Sequence, residues 1–152
     1  MPLLGRSENP FAPAAVPVKD LFEDADGCAR QRIALMSKHW NITRGITLFS
    51  EGDKPVRIFI HRSGRVRLRW SNGYSRSITA RIAGPHYIFG LIETLSNSRH
   101  LMTMQAMGNS TLEVIESAAL LDLVREDQVL CFRLAEVLSQ LCISATRAIR
   151  SH

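Results

Sequence analysis

Between about Gly45 and Ser117 the apolar residues fall in short, β-branched-rich runs interrupted by Gly, Asn, Ser or Pro. Six such runs read as strands: Ile46 to Phe49, Val56 to His61, Val66 to Trp70, Ser77 to Ile82, Met102 to Met107 and Leu112 to Ile115. Turn signals lie between most of them, at Glu51-Gly52-Asp53, Ser63-Gly64, Ser71-Asn72-Gly73, Ala83-Gly84-Pro85 and Gly108-Asn109-Ser110. Asn72-Gly73 is the strongest hairpin mark, because a two-residue type I′ turn needs positive φ at both central positions. Many short strands joined by tight turns predict an antiparallel sandwich, barrel or jelly roll.

The period changes near the C-terminus. From Glu126 to Ile149 one apolar row runs Leu130, Leu134, Val137, Leu141, Ser144, Ala148, and a second runs Leu138, Cys142, Ala145, Ile149. Steps of three and four define a helix over about 126–150. Two adjacent rows make an apolar face wider than one small β domain covers, which predicts a partner helix, most simply the same helix of a second subunit. Packing of both rows on the chain's own β domain is the alternative. Upstream, Leu21, Phe22, Ala25, Cys28, Ile33, Ala34 and Met36 suggest one or two short helices between Asp20 and Lys38, broken near Gly27. Residues 1–18 hold Pro2, Pro10, Pro13 and Pro17 among Ala, Ser and Gly, and read as a flexible tail ahead of one domain over 19–152.

Composition narrows the class. The chain has 152 residues, 45% of them hydrophobic and 22% charged, with a formal charge of +5. A domain of this size buries roughly 68–70% of its unfolded surface, enough for a core without disulfides or metal. A large multidomain enzyme is excluded. The apolar runs are interrupted by polar residues before reaching the ~20 needed to span a bilayer, and the N-terminus lacks a charged segment followed by an unbroken apolar one. A cytoplasmic protein without membrane contact is expected. Cys28, Cys131 and Cys142 have no CxxC spacing, and His39, His61, His86, His100 and His152 no i, i+4 pair, so neither a disulfide framework nor a local metal site is expected.

The order of short helices, β roll and long terminal helix resembles the cyclic-nucleotide-binding domain of catabolite-activator and Fnr-type (Crp/Fnr) transcription regulators. The residues that carry the likeness are Gly45-Ile46-Thr47-Leu48-Phe49, Glu51-Gly52-Asp53, Ile58-Phe59-Ile60 with Ser63-Gly64-Arg65-Val66, and Gly84 leading to Phe89-Gly90. They span most of residues 20–150. The resemblance implies a mainly β fold with flanking helices, a double-stranded β-helix (jelly roll), and a long C-terminal dimerisation helix. The glycines shape the roll and bind nothing.

In that family a cassette opening Phe-Gly-Glu, with an Arg about ten residues later, holds a cyclic nucleotide. The resemblance therefore implies a ligand site at Phe89, Gly90, Leu91, Ile92, Arg99 and His100, with a polar residue of the terminal helix such as Ser139, Ser144 or Thr146 reaching the purine. Cyclic AMP or cyclic GMP is the implied ligand. Leu91 stands at the Glu position, and a ribose hydroxyl left unpaired there costs about 1–3 kcal/mol. Glu93, two positions on, is roughly 200° away around a helix axis and replaces that Glu poorly. The cassette is about one residue short, so either Arg99 or His100 takes the Arg position.

No Asp or Glu occurs from Lys54 to Ile92, whereas Arg57, Arg62, Arg65, Arg67, Arg69, Arg76 and Arg81 do. Arg65, Arg67 and Arg69 alternate with Val66, Leu68 and Trp70, putting the guanidiniums on one face of a strand. That face is a solvated exterior, an attractor for a small anionic ligand, or a nucleic-acid surface. The chain ends directly after its long helix, where Fnr-type regulators carry a helix-turn-helix, so direct DNA contact is not expected. The leading expectation is a non-enzymatic, homodimeric sensor domain. The rivals are a ligand-free dimerisation or scaffold module, a basic nucleic-acid-binding module, and a cupin-like enzyme needing His61, His86 and His100 to converge.

Overall fold

The computed structural model describes residues 15–17, 27–71, 77–83 and 86–150. Among the described residues nine strands and four helices follow in the order β1 (Ala15–Pro17), α1 (Gly27–Met36), β2 (Lys38–Ile42), β3 (Thr47–Phe49), β4 (Arg57–Ser63), β5 (Val66–Ser71), β6 (Ser77–Ala83), β7 (Tyr87–Phe89), α2 (Leu91–Ser96), β8 (Thr103–Ala106), β9 (Ser110–Glu116), α3 (Ser117–Glu126) and α4 (Gln128–Arg150). They form two antiparallel sheets, of order β1-β7-β4-β9-β2 and β3-β8-β5-β6. This is the jelly roll with flanking helices and a long terminal helix that the sequence predicts.

Strand alternation divides the core in two. Along β4, Ile58 and Ile60 face the helices while Phe59 faces the opposite sheet; β7 repeats this with Ile88 against Phe89. Between the sheets lie Phe49, Phe59, Val66, Leu68, Phe89, Met104, Leu112 and Val114. On the other side, Ile58, Ile60, Ile88, Leu91 and Ile115 meet Ile33 of α1, Leu120 and Leu123 of α3, and Leu130, Leu134 and Val137 of α4. Trp40 and Phe49 pack on Phe59 at centroid separations of 6.0 and 6.1 Å, tying both sheets to one ring.

Six strands lie where the runs predict them. The additional elements have weak sequence signals. β2 is an edge strand of sequence KHWNI, exposed at Lys38, His39 and Asn41, and so lacks an apolar alternation. β7 has only three residues. Ala15–Pro17, inside the segment read as a tail, pairs with β7 and buries Val16 completely. α3 begins directly at the end of β9 with no side-chain cap. Asp127 then breaks the helical path at φ −109°, ψ 100°, and its carboxylate accepts from the Leu130 amide at 2.9 Å, starting α4 two residues after Glu126. The Asn72-Gly73 and Gly84-Pro85 turns, and the helical stretch expected over 20–26, lie outside the described residues.

α4 changes one expectation. By length and composition this helix is apolar enough to cross a membrane, although only 17% of its most apolar window is buried. The residue-by-residue reading of interrupted runs overlooked this because its few charges are outweighed over eighteen positions.

Gly64 is the tightest point of the roll. At φ +85° it turns β4 into β5, and a Cβ there would sit 2.6 Å from the Asn109 carbonyl in the neighbouring turn. Gly64→Ala is expected to destabilise the domain by about 2 kcal/mol or more, from left-handed strain plus the clash, read as a lower urea midpoint at unchanged slope.

Candidate functional site

The cassette grows out of β7. Gly90, at φ +89°, leaves the strand and opens α2; a Cβ at this position would lie 2.8 Å from the Arg57 carbonyl of β4. Only glycine permits that approach. α2 closes on Asn97 in the left-handed region, with the Ser98 amide donating to the Glu93 carbonyl at 3.0 Å. The Thr94 and Ser117 hydroxyls share a buried hydrogen bond of 3.0 Å, joining α2 to the start of α3.

The segment after α2 is clipped to the Glu51-Gly52-Asp53 turn. The His100 amide donates to the Asp53 carbonyl at 2.9 Å, and the Gly52 amide to the His100 carbonyl at 2.7 Å. Arg99 is exposed, and its guanidinium donates to the Gly52 carbonyl at 2.9 Å. Its side chain therefore braces a surface turn from outside. His100 points inward: it is 2% exposed, stacks on Phe49 with centroids 3.8 Å apart, and places Nδ1 2.9 Å from Oε2 of Glu93. With Glu93 ionised the carboxylate only accepts, and Nδ1 is then the donor. Glu93 is itself buried.

The predicted site residues separate accordingly. Phe89 lies in the core between the sheets, Leu91 is fully buried in the helix-side core, and half-buried Ile92 packs against that core. Ser139 is exposed; it follows the buried Val137 by two positions, roughly 200° around α4 from the row that meets the roll. Gly90 and His100 belong to the cassette interior, whereas Arg99 and Ser139 do not reach it. Sequence reasoning missed Glu93 as the partner of His100. The signal was present in the rotation itself: with Leu91 facing the helix-side core, a residue 200° away faces the roll.

Two arginines of the basic stretch meet carboxylates across the sheet. Arg62 donates to both Glu113 oxygens, at 3.0 and 3.2 Å, and Arg57 lies 3.6 Å from Glu116 and 5.4 Å from the Trp40 ring centre. Arg67 donates to Gln105 at 2.5 Å. Arg76 and the Arg81 side chain lie outside the described residues. Among the described residues, no group of three His, Cys, Asp or Glu is placed to hold a metal ion.

The site is thus a two-sheet roll with a glycine-opened cassette, packed through one core on a long terminal helix. The chain belongs to the cyclic nucleotide-binding domain family, whose model matches residues 39–127. Its fold is similar to the N-terminal domain of a transcriptional regulator from Streptomyces coelicolor, at 20% identity and TM-score 0.69 over 80% of this chain and 86% of that one. It is likewise similar to the Thermus thermophilus catabolite activator protein, at 20% identity and TM-score 0.74, covering 86% of this chain. The sensor domain of the transcriptional regulator DNR from Pseudomonas aeruginosa aligns at 20% identity and TM-score 0.70, over 80% of this chain and 81% of that one. The chain spans 62% of the length of the catabolite activator protein. No curated protein matches by sequence.

The cassette residues do not fit a cyclic nucleotide. Leu91 offers no acceptor and faces the helix-side core, Arg99 is turned outward, and His100 is already engaged by a carboxylate.

The Glu93 and His100 side chains should be energetically coupled. In a double-mutant cycle, Glu93→Ala and His100→Ala together are expected to cost about 1 kcal/mol or more less than the sum of the single changes, measured by urea unfolding. Additive costs would mean the contact contributes nothing.

Proposed function

We propose that this chain is a non-catalytic regulatory domain of the Crp/Fnr sensor type, acting in the cytoplasm as a homodimer joined through α4. The observation that carries the reading is the surplus apolar surface of that helix. Its first row, Leu130, Leu134 and Val137, is buried against the roll, while Cys142 and Ile149 of the second row remain exposed, and Val129, Phe132 and Ile143 are exposed on a further side of the helix. A second copy of the same helix covers such a face by symmetry. Burial of the first row in the chain's own core favours this occupant over a bilayer, which would need the whole circumference of α4.

The same row supplies a route for regulation. Leu91 of the cassette shares one core with Leu130, Leu134 and Val137, and Ile92 and Leu95 pack against it. Any rearrangement of α2 must therefore repack α4, and a bound small molecule shifts the dimer by as much as its affinity differs between the two arrangements. DNA contact has no part in this reading.

A second reading, a ligand-free dimerisation module, is favoured by the Glu93–His100 pair. It keeps the α4 dimer and removes the ligand.

Sedimentation equilibrium tests the part both readings share. The chain is expected to be dimeric at micromolar concentration. The double variant Cys142→Glu, Ile149→Glu should be monomeric with a melting temperature within a few degrees of the parent, since both positions lie at the surface. A parent that is monomeric across the concentration range sinks the dimer.

A further inference from the structure

We infer that the cassette is occupied by its own side chains: the buried Glu93 carboxylate, bound to His100 inside the roll, excludes anionic ligands, so that this domain takes no cyclic nucleotide. The inference rests on the regulatory reading only for the location of the cassette.

The side chains at the family's phosphate and ribose positions are either engaged or turned away. The inward-facing imidazole of His100 gives its Nδ1 hydrogen to Glu93 Oε2 at 2.9 Å, and its ring is held flat against Phe49. The Arg99 guanidinium is outside, donating to the Gly52 carbonyl. Leu91 is fully buried on the opposite side of α2. Glu93 and His100 have side chains only 9% and 2% exposed. An arriving phosphate would meet a second negative charge in a poorly screened position, or would have to expel the carboxylate and take over its hydrogen bond. Rotating Arg99 inward would give up its contact with the turn and would still leave Glu93 facing the anion.

The pair thus supplies internally the acceptor and the donor that a bound nucleotide and its receptor would otherwise contribute separately. Backbone clips hold it in place, because the His100 amide and carbonyl are both bonded to the Gly52-Asp53 turn. α2 rests, through Leu91, Ile92 and Leu95, on the core it shares with α4.

The test is calorimetry on the full chain with cyclic AMP, cyclic GMP and inorganic phosphate, compared with Glu93→Gln, which keeps a hydrogen-bond acceptor and removes the charge. The expected result is no saturable heat for the parent at millimolar ligand and saturable binding by Glu93→Gln, a gain of about tenfold or more in affinity. Saturable binding of a cyclic nucleotide by the parent overturns the inference. Silence from both proteins overturns the assignment of exclusion to Glu93. If Glu93→Gln does not fold, the parent's histidine 1H–15N spectrum decides: His100 ring signals unmoved by cyclic AMP support the inference, and a saturable shift overturns it. Sedimentation keeps the two proposals apart. A monomer with a silent parent cassette sinks the dimer alone, while a dimer whose parent form binds cyclic nucleotide sinks the self-occupied cassette alone.

Discussion

The two-residue alternation of β4 and β7 is the constraint on which the rest of the molecule depends. Because successive side chains leave a strand on opposite faces, Ile58, Ile60 and Ile88 go to the helices and Phe59, His61 and Phe89 to the space between the sheets. One set anchors α1, α3 and α4; the other closes the roll. A register slip of one residue would exchange the two cores, placing His61 against the helices and isoleucines among the aromatic rings. The pairing of β4 with both β7 and β9 forbids that slip.

The cassette inherits its orientation from this alternation. Phe89 faces the roll as the last residue of β7, Gly90 turns the backbone against the Arg57 carbonyl, and Leu91 then falls on the helix side. From that starting angle the helical rotation carries Glu93 toward the interior and sets Thr94 against Ser117. A chain with this geometry and Leu at the third cassette position turns its acid, Glu93, into the roll beside His100. His100, clipped by its backbone to the Gly52-Asp53 turn, completes the pair.

Charge follows a similar logic at longer range. The stretch from Lys54 to Ile92 carries arginines without a single carboxylate, yet the sheet lays β9 beside β4 and brings Glu113 to Arg62 and Glu116 to Arg57. These partly exposed pairs add little to stability. Their effect is on the surface: on this sheet Arg57 and Arg62 of the basic strip face carboxylates, while Arg67 on the other sheet meets the neutral Gln105.

Much of the architecture was legible in the sequence because it rests on local rules. Tight turns need glycine at Gly52 and Gly64, half-buried strands alternate, and a long helix repeats every three to four residues, so six strands, the roll and the terminal helix could be read directly. The edge strand β2 and the short β7 could not, since their pairing is supplied by neighbours distant in sequence. The same holds for the site. The sequence by itself determined that Leu91 cannot accept a hydrogen bond and that an Arg and a His follow at the end of the cassette. Only the tertiary structure decided that Arg99 faces outward, that His100 faces inward, and that Glu93 meets it. The reason is physical: which side of a turn a side chain takes depends on backbone bonds to a segment almost fifty residues away, and no local pattern encodes that contact.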